Sequence, residues 1–418
     1  MSARPTVVVA VHDGWYGCGT GAGYANFGFL EALVGLFPAG VRLVVMPLRL
    51  SPASHEYHPR WHDRARRLAA RVDARIVPVD NGTGGLDRWG SVAHFRRLAG
   101  NTADRLRSEV LPSAGPLLLV AFDVPFFGLP ALLPPDVRAR TVLVPRSSAI
   151  IHAPHDRLRV AWERAALHAG LADGTRIGAI SRFMAGHLTR EYGIPRSSLV
   201  AMPDGLAHSE WTGLRRAVTR EIVPPGNFLL SLGRAQPYKG FDDLLDAIAI
   251  LRDAGTRVPH LVLAATDEAP EPTRYQRSLL ARLRSLDVEH TAVTRFTPAV
   301  PSLLSHPGLL GVVVPSRAEP FGRIPMEAFA AGAAPVIHDH SGRAGRAGRR
   351  RPDRLRLLTR LSSRAGRRLG TRPGRRPAGP GRDAPAGLPP RAADLRSGRR
   401  CPAVPRRNRA LAPAARSR

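Results

Sequence analysis

Phe228-Leu-Leu-Ser-Leu-Gly-Arg234-Ala-Gln-Pro-Tyr-Lys239-Gly240-Phe241 decides the reading of this chain. Residues 228–232 are a short apolar run, as expected of a strand buried on both faces. Two glycines and a proline break the run between Gly233 and Gly240. From residue 241 to 254 the apolar side chains recur at helical spacing. A strand, a tight loop and a helix in this order open a βαβ unit. The loop carries Arg234 and Lys239, five residues apart. An arginine fork and a lysine point charge so placed can clamp a diphosphate from two sides. Lys239 is the one lysine among 62 basic residues. Such a bias reflects a GC-rich gene, and a lysine kept against it marks the loop for a specific contact.

Downstream, strands are expected at 260–264, 310–314 and 334–337, with helices at 279–286 and 324–331. After the 310–314 strand comes Glu319-Pro-Phe-Gly-Arg-Ile-Pro-Met-Glu327. Glu319 is expected in the loop and Glu327 one to two turns into the helix. The amides of Phe321, Gly322 and Arg323 would crown that helix and favour phosphate. A carboxylate on either side of an anion site suits a sugar nucleotide, because each can accept hydroxyl hydrogen bonds.

Upstream, residues 1–210 alternate between strand and helix patterns. Strands are expected at 6–11, 41–46, 75–79, 117–122, 141–144 and 176–180, with helices at 24–37 and 60–72. Gly17-Cys-Gly-Thr-Gly-Ala-Gly23 follows the first strand. Its glycines permit close approach to a ligand, although the spacing is not a dinucleotide fingerprint. A polar stretch at 211–226 reads as a boundary. The architecture is therefore α/β, with two successive Rossmann-like halves at 1–212 and 226–340. Asp123 follows the 117–122 strand, at the end where open α/β sheets bind ligands, and is an acceptor-site candidate beside a helix-cap reading. His152, near a strand end, is a second acceptor candidate against a surface-loop reading. His55, His58 and His62 lack metal-ligand spacing, and no metal site is expected.

These motifs resemble a known family. Gly233-Arg234-x2-Pro237-x-Lys239-Gly240, followed by Glu319-Pro-Phe-Gly322-x4-Glu327-Ala-Phe-Ala-Ala-Gly-x2-Pro335-Val-Ile337, is similar to the retaining GT-B glycosyltransferases of family 4, the glycosyl transferases group 1. Ala179-Ile-Ser181-Arg-Phe183, Gly193-Ile-Pro195 and Met202-Pro-Asp-Gly205 resemble the end of that family's N-terminal domain. The resemblance covers about residues 7–340. It implies two Rossmann-like domains facing a central cleft, with an N-terminal acceptor domain and a C-terminal donor domain. It implies that Arg234 and Lys239 bind a nucleotide diphosphate and that Glu319 meets the donor sugar near the anomeric centre. Glu327 would then take the ribose hydroxyls, and the loop bearing Gly19, Gly21 and Gly23 would close over the donor. The co-substrate is a nucleotide-diphosphate sugar, expected to be a UDP-sugar, with no cofactor and no metal. The acceptor is expected to be a small hydroxylated molecule. Asp13, Glu31 and Asp123 suit a cationic one, such as the aminocyclitol of an aminoglycoside-type antibiotic.

The net charge of +29 offers a competing reading, a polyanion or nucleic-acid binder. Its distribution argues otherwise. Residues 341–418 hold 24 Arg against 3 Asp, which is +21 of the total. That segment has eight Leu, one Val and no aromatic residue, too little for a core at its charge. It begins where the family pattern fails, at His340-Ser-Gly342. Back-translating Arg349 to Leu361 and reading one base along yields Val-Val-Asp-Arg-Thr-Gly-Phe among the permitted results, as the family would place there. The tail is expected to be disordered or a frameshifted reading, leaving the donor domain incomplete and raising the alternative of an inactive, truncated transferase. No specific nucleic-acid partner is expected. Two cysteines exclude a disulfide framework, and no apolar run of about 20 residues is present. A cytoplasmic protein is expected. A nicotinamide-dependent oxidoreductase is a third class, weakened by the failed glycine spacing.

Overall fold

The structure is a computed structural model. It describes residues 4–338 apart from 215–220, 223, 268, 270, 298, 334 and 335. The expectations for 341–418, disorder or a shifted frame, lie outside the described residues.

The N-terminal half begins with β1 (Thr6–Val11), α1 (Gly21–Gly35), β2 (Arg42–Pro47), α2 (Pro59–Ala70), β3 (Arg75–Ile76) and α3 (Val92–Arg105). It continues with β4 (Leu117–Phe122), α4 (Pro135–Arg138), β5 (Thr141–Val144), α5 (Ala149–His152) and α6 (Arg157–Ala169). It ends with β6 (Arg176–Ala179), α7 (Arg182–Tyr192), β7 (Leu199–Ala201) and α8 (His208–Leu214). Its sheet runs β3-β2-β1-β4-β5-β6-β7 with every pairing parallel. β1 is central because it is apolar on both faces, and Val8 to Val11 are fully buried. The sequence order reverses direction between β1 and β4, so a crevice opens at their carboxyl ends.

The second half contains β8 (Phe228–Arg234), α9 (Phe241–Asp253), β9 (His260–Asp267), α10 (Arg274–Ser285) and β10 (His290–Arg295). α11 (Ala299–Ser302), β11 (Leu309–Val314), α12 (Arg323–Ala330) and β12 (Val336–His338) follow. The sheet order is β10-β9-β8-β11-β12, again all parallel, with the switch between β8 and β11. The α/β class is as expected. Both sheets lie in one compact unit.

Several local expectations need correction. α1 starts at Gly21, not Tyr24, because Thr20 caps it, its hydroxyl accepting from the Gly23 amide at 3.1 Å. Gly21 and Gly23 therefore belong to the first helical turn and not to a loop. α2 starts at Pro59, one residue before the expected 60–72 helix, because proline suits the first helical position, where no N–H is needed. β3 stops at Ile76 because Pro78 cannot donate to the ladder; pairing resumes only as a single bridge, Leu48 to Val79. β10 was not anticipated. His-Thr-Ala-Val-Thr-Arg is too polar to stand out, and it is an edge strand with a register shift.

Candidate active site

The site is built at the two switch points. Arg234 is the last residue of β8, and Lys239 closes a single turn, Pro237–Lys239. Gly240 then takes φ +69° and caps α9. A side chain there would strike the Pro315 carbonyl, so the loop needs glycine for both conformation and space. This packing draws the end of β11 against the loop. Glu319 follows β11, largely buried, and forms an ion pair with Lys239 across 80 residues of sequence. The Ser316 hydroxyl donates to the same carboxylate oxygen at 2.8 Å. Arg234 remains exposed, its guanidinium 3.3 Å from the Tyr238 hydroxyl. Two cations and a buried carboxylate thus surround one loop.

Gly322 adopts φ +86° and caps α12, so no cap side chain occupies the first amides of that helix. Glu327 stands one turn in. Burial raises its pKa, while Arg323, 3.4 Å away, works in the opposite direction. The expected placement of the two carboxylates on either side of a helix N-terminus is what the structure contains.

The N-terminal half brings a different set of groups to this loop. The His152 ring lies 4.5 Å from that of Tyr238. Burial, then Arg234 and Lys239, drive its pKa down to about 3, so the ring is neutral. Its Nδ1 is buried with no hydrogen-bond partner among the described residues. His152 is therefore not a surface-loop residue. It faces Arg234 and Lys239, the two cations of the loop. Asp123 follows β4 with φ +77°, an unusual conformation for a non-glycine residue. It accepts from the Arg146 amide at 3.1 Å and lies 3.4 Å from His12 Nδ1. Burial raises its pKa to about 7 and lowers that of His12 to about 4. Asp123 is thus a member of a buried network, not a helix cap of the ordinary kind.

Sequence reasoning missed much of that network. Arg88 binds Asp13 and Glu56, with Nη2 to Glu56 Oε1 at 2.7 Å. Arg146 binds Asp204 and donates to Asn26 at 2.6 Å. Both arginines are almost fully buried. Asp204 lies in the Met202-Pro-Asp-Gly205 stretch, whose resemblance was a usable signal; Arg88 and Glu56 had none. Gly23 is also reassigned. Its amide is engaged by Thr20, and a Cβ there would meet the Asp13 carboxylate, so it makes room for Asp13. Gly19 lies in the turn before Thr20, and Gly21 approaches Arg323 of the other half. Glu31 holds Arg64 and Ser209, away from His12 and Asp123. No group of three or more His, Cys, Asp or Glu side chains among the described residues could hold a metal. His62 instead contacts the Tyr57 hydroxyl at 2.9 Å. No helix of the described residues is long and apolar enough to cross a membrane.

Residues 219–346 match the family described as Glycosyl transferases group 1. The chain carries a glycosyl transferases group 1 domain on a GT-B fold. The D-inositol 3-phosphate glycosyltransferase of Actinosynnema mirum is 32% identical over 193 residues, 44% of this chain and 45% of that protein. The mannosylfructose-phosphate synthase of Agrobacterium fabrum is 28% identical over 165 residues, 37% of this chain and 36% of the relative. The chain thus matches less than half the length of either. Among solved structures, the sucrose-phosphate synthase of Thermosynechococcus elongatus superposes with a TM-score of 0.58 at 15% identity, covering 81% of this chain and 82% of the other. A glycosyltransferase involved in lipopolysaccharide biosynthesis gives 0.54 at 13% identity, with 87% and 92% covered. Arg234, Lys239, Glu319 and Glu327 all fall inside the group 1 domain, whereas His152 and Asp123 lie outside it.

Proposed function

We propose that this chain transfers a sugar from a nucleotide-diphosphate sugar to a small hydroxylated acceptor, with retention at the anomeric carbon. The carrying observation is the meeting of Arg234, Lys239, Glu319 and His152 around Tyr238. In the transfer, the bond from C1 to the diphosphate oxygen breaks and its electron pair leaves with the diphosphate. A bond from the acceptor oxygen to C1 forms on the same face. The departing phosphate oxygen takes the acceptor proton. Negative charge therefore grows on the diphosphate, next to Arg234, Lys239 and the first amides of α12. A phosphate entering here competes with Glu319 for Lys239. Glu319 is then free to accept from a sugar hydroxyl near the positive charge developing at C1. Neutral His152 offers Nδ1 to another hydroxyl. Glu327 accepts from the ribose.

The acceptor reading rests on the N-terminal wall. Asp13, Glu56, Asp123 and Asp204 outnumber Arg88 and Arg146, and both arginines are already bound to carboxylates. A polyol, or one bearing an ammonium group, suits such a wall better than a phosphate dianion. An aminocyclitol of the kind built into aminoglycoside-type antibiotics meets that description. The test uses the full chain with UDP-, GDP- and ADP-sugars and a panel of cyclitols, aminocyclitols and their phosphates. Release of nucleoside diphosphate and a product whose anomeric proton coupling matches the donor's configuration are expected. A folded protein that releases no nucleotide with any pair, or a product of inverted configuration, would overturn the reading.

A further inference from the structure

Arg323 does more than lend its amide to the start of α12. Its side chain is 11% exposed and reaches out of the donor half into three parts of the other. Nη2 donates to Glu210 of α8 at 2.6 Å, and Nη1 reaches the Gly205 carbonyl at 3.4 Å. Its guanidinium carbon stands 5.6 Å from the centre of the Tyr24 ring, and its Cδ covers Gly21 so closely that a Cβ there would sit at 3.3 Å. The remaining nitrogen, Nε, faces Glu327 at 3.4 Å. One planar fork therefore ties the carboxylate assigned to the ribose to the start of α1, the residue 205 turn and α8. Neighbouring contacts run the same way. The Ser181 hydroxyl donates to the Pro320 carbonyl, and Phe321 packs against the N-terminal core.

We propose that Arg323 is a positioning residue that couples ribose recognition at Glu327 to closure of the two halves, with Glu210 as its anchor. The proposal rests on the donor reading above. Through Arg323, the orientation of Glu327 depends on Glu210, a residue that the donor need not touch. Closing the halves aligns the ribose carboxylate, and a ribose seated on Glu327 in turn favours the closed arrangement. Lysine cannot replace the arginine, because a single ammonium cannot hold Glu210, the Gly205 carbonyl and Glu327 in three directions.

The decisive variant is Glu210→Gln. It keeps one carbonyl oxygen for the Ala207 amide, which donates to Glu210 Oε2 at 2.9 Å, and puts an amide NH2 where Oε1 accepted from Arg323, so the charge and the hydrogen bond to Arg323 are both lost. Calorimetric titration with UDP, GDP and ADP, together with donor kinetics, gives the readout. Glu210→Gln is expected to weaken binding of the preferred nucleotide and raise donor KM about 5- to 20-fold, with kcat changed much less. Arg323→Met should lose at least as much, Arg323→Lys should not restore it, and the double variant Arg323→Met/Glu210→Gln should be no worse than Arg323→Met alone. Should Arg323→Met fail to fold, Glu210→Gln and Arg323→Lys decide the matter. Unchanged nucleotide affinity and KM in Glu210→Gln, beside normal wild-type binding, would overturn the coupling alone, as would additive losses in the double variant. A wild-type protein that binds no nucleotide would overturn the donor reading and this proposal with it.

Discussion

The loop between Gly233 and Gly240, which His152 touches, and the wall of His12, Asp13, Asp123, Arg88 and Arg146 in the N-terminal half are built on opposite electrostatic plans. The loop presents Arg234 and Lys239 from one short segment, and the buried carboxylate Glu319 arrives from the connection after β11, the strand beside β8 in the sheet. The wall is assembled from the ends of several strands and is rich in carboxylates. Its arginines are buried and bound to acidic side chains. A loop cation that still reaches solvent, as exposed Arg234 and half-buried Lys239 do, can exchange partners with an incoming phosphate. A buried arginine cannot, because leaving its carboxylates unpaired costs more than the new contact returns. One region is thus suited to binding charge and the other to holding shape.

Four experiments would break or sharpen that contrast. The largest effect is expected for Lys239→Ala, which should lower donor turnover about 10³-fold through the lost stabilisation of leaving-group charge, while the chain still folds at a lowered melting temperature because Glu319 is left buried without its cation. Near-normal turnover would remove Lys239 from the donor clamp. Arg88→Met should act the other way round, through stability. It leaves Asp13 and Glu56 buried and unpaired, and a loss of about 3 kcal/mol is expected by urea titration. If the protein tolerates it with no loss, the wall is not a structural network.

A smaller, pH-dependent effect comes from Asp123. Its pKa is raised to about 7 in the folded chain, against about 4 unfolded. The stability that it contributes is therefore full below about pH 4 and disappears as pH rises through about 7. Asp123→Asn should flatten that decline in denaturant titrations. His12, lowered to about 4, has the opposite sense, since its contribution is present above pH 6.5 and lost on acidification. Comparing wild type with Asp123→Asn isolates the aspartate, and parallel curves would refute the assignment. The smallest effect is expected for Gly23→Ala, about 1–3 kcal/mol, because the new methyl displaces the Asp13 carboxylate. The exposed Arg75–Glu109 pair supplies the control, and Arg75→Ala should cost less than about 1 kcal/mol.

The same contrast explains what was legible before the structure. Arg234, Lys239, Glu319 and Glu327 sit in loops next to apolar strands, where glycines and prolines punctuate the pattern at short range. Their placement follows from local periodicity and turn chemistry. His152 and Asp123 were visible only as polar residues near strand ends. Their burial, their neighbours and their shifted pKa values come from elements up to about a hundred residues away. Arg88 and Glu56 carried no signal at all, since an arginine in a glycine-rich stretch reads as solvated. The start of α1 at Gly21 was hidden for another reason: the Thr20 cap competes with the glycine propensities and wins.

The sequence by itself determined the α/β alternation, the paired Rossmann-like sheets and the placement of Arg234, Lys239, Glu319 and Glu327 after their strands, because each depends on residues within about one strand–loop–helix unit. It also showed that +21 of the +29 belongs to residues 341–418. Only the tertiary structure decided that Lys239 meets Glu319, that the His152 ring packs at a tilt against Tyr238, and that Arg323 joins Glu327 to Glu210. Those contacts link positions separated by 80 to 113 residues, except the Arg323–Glu327 pair within one helix. They exist because parallel sheets bring the carboxyl ends of their strands together, and no local pattern in a chain records which ends will face each other.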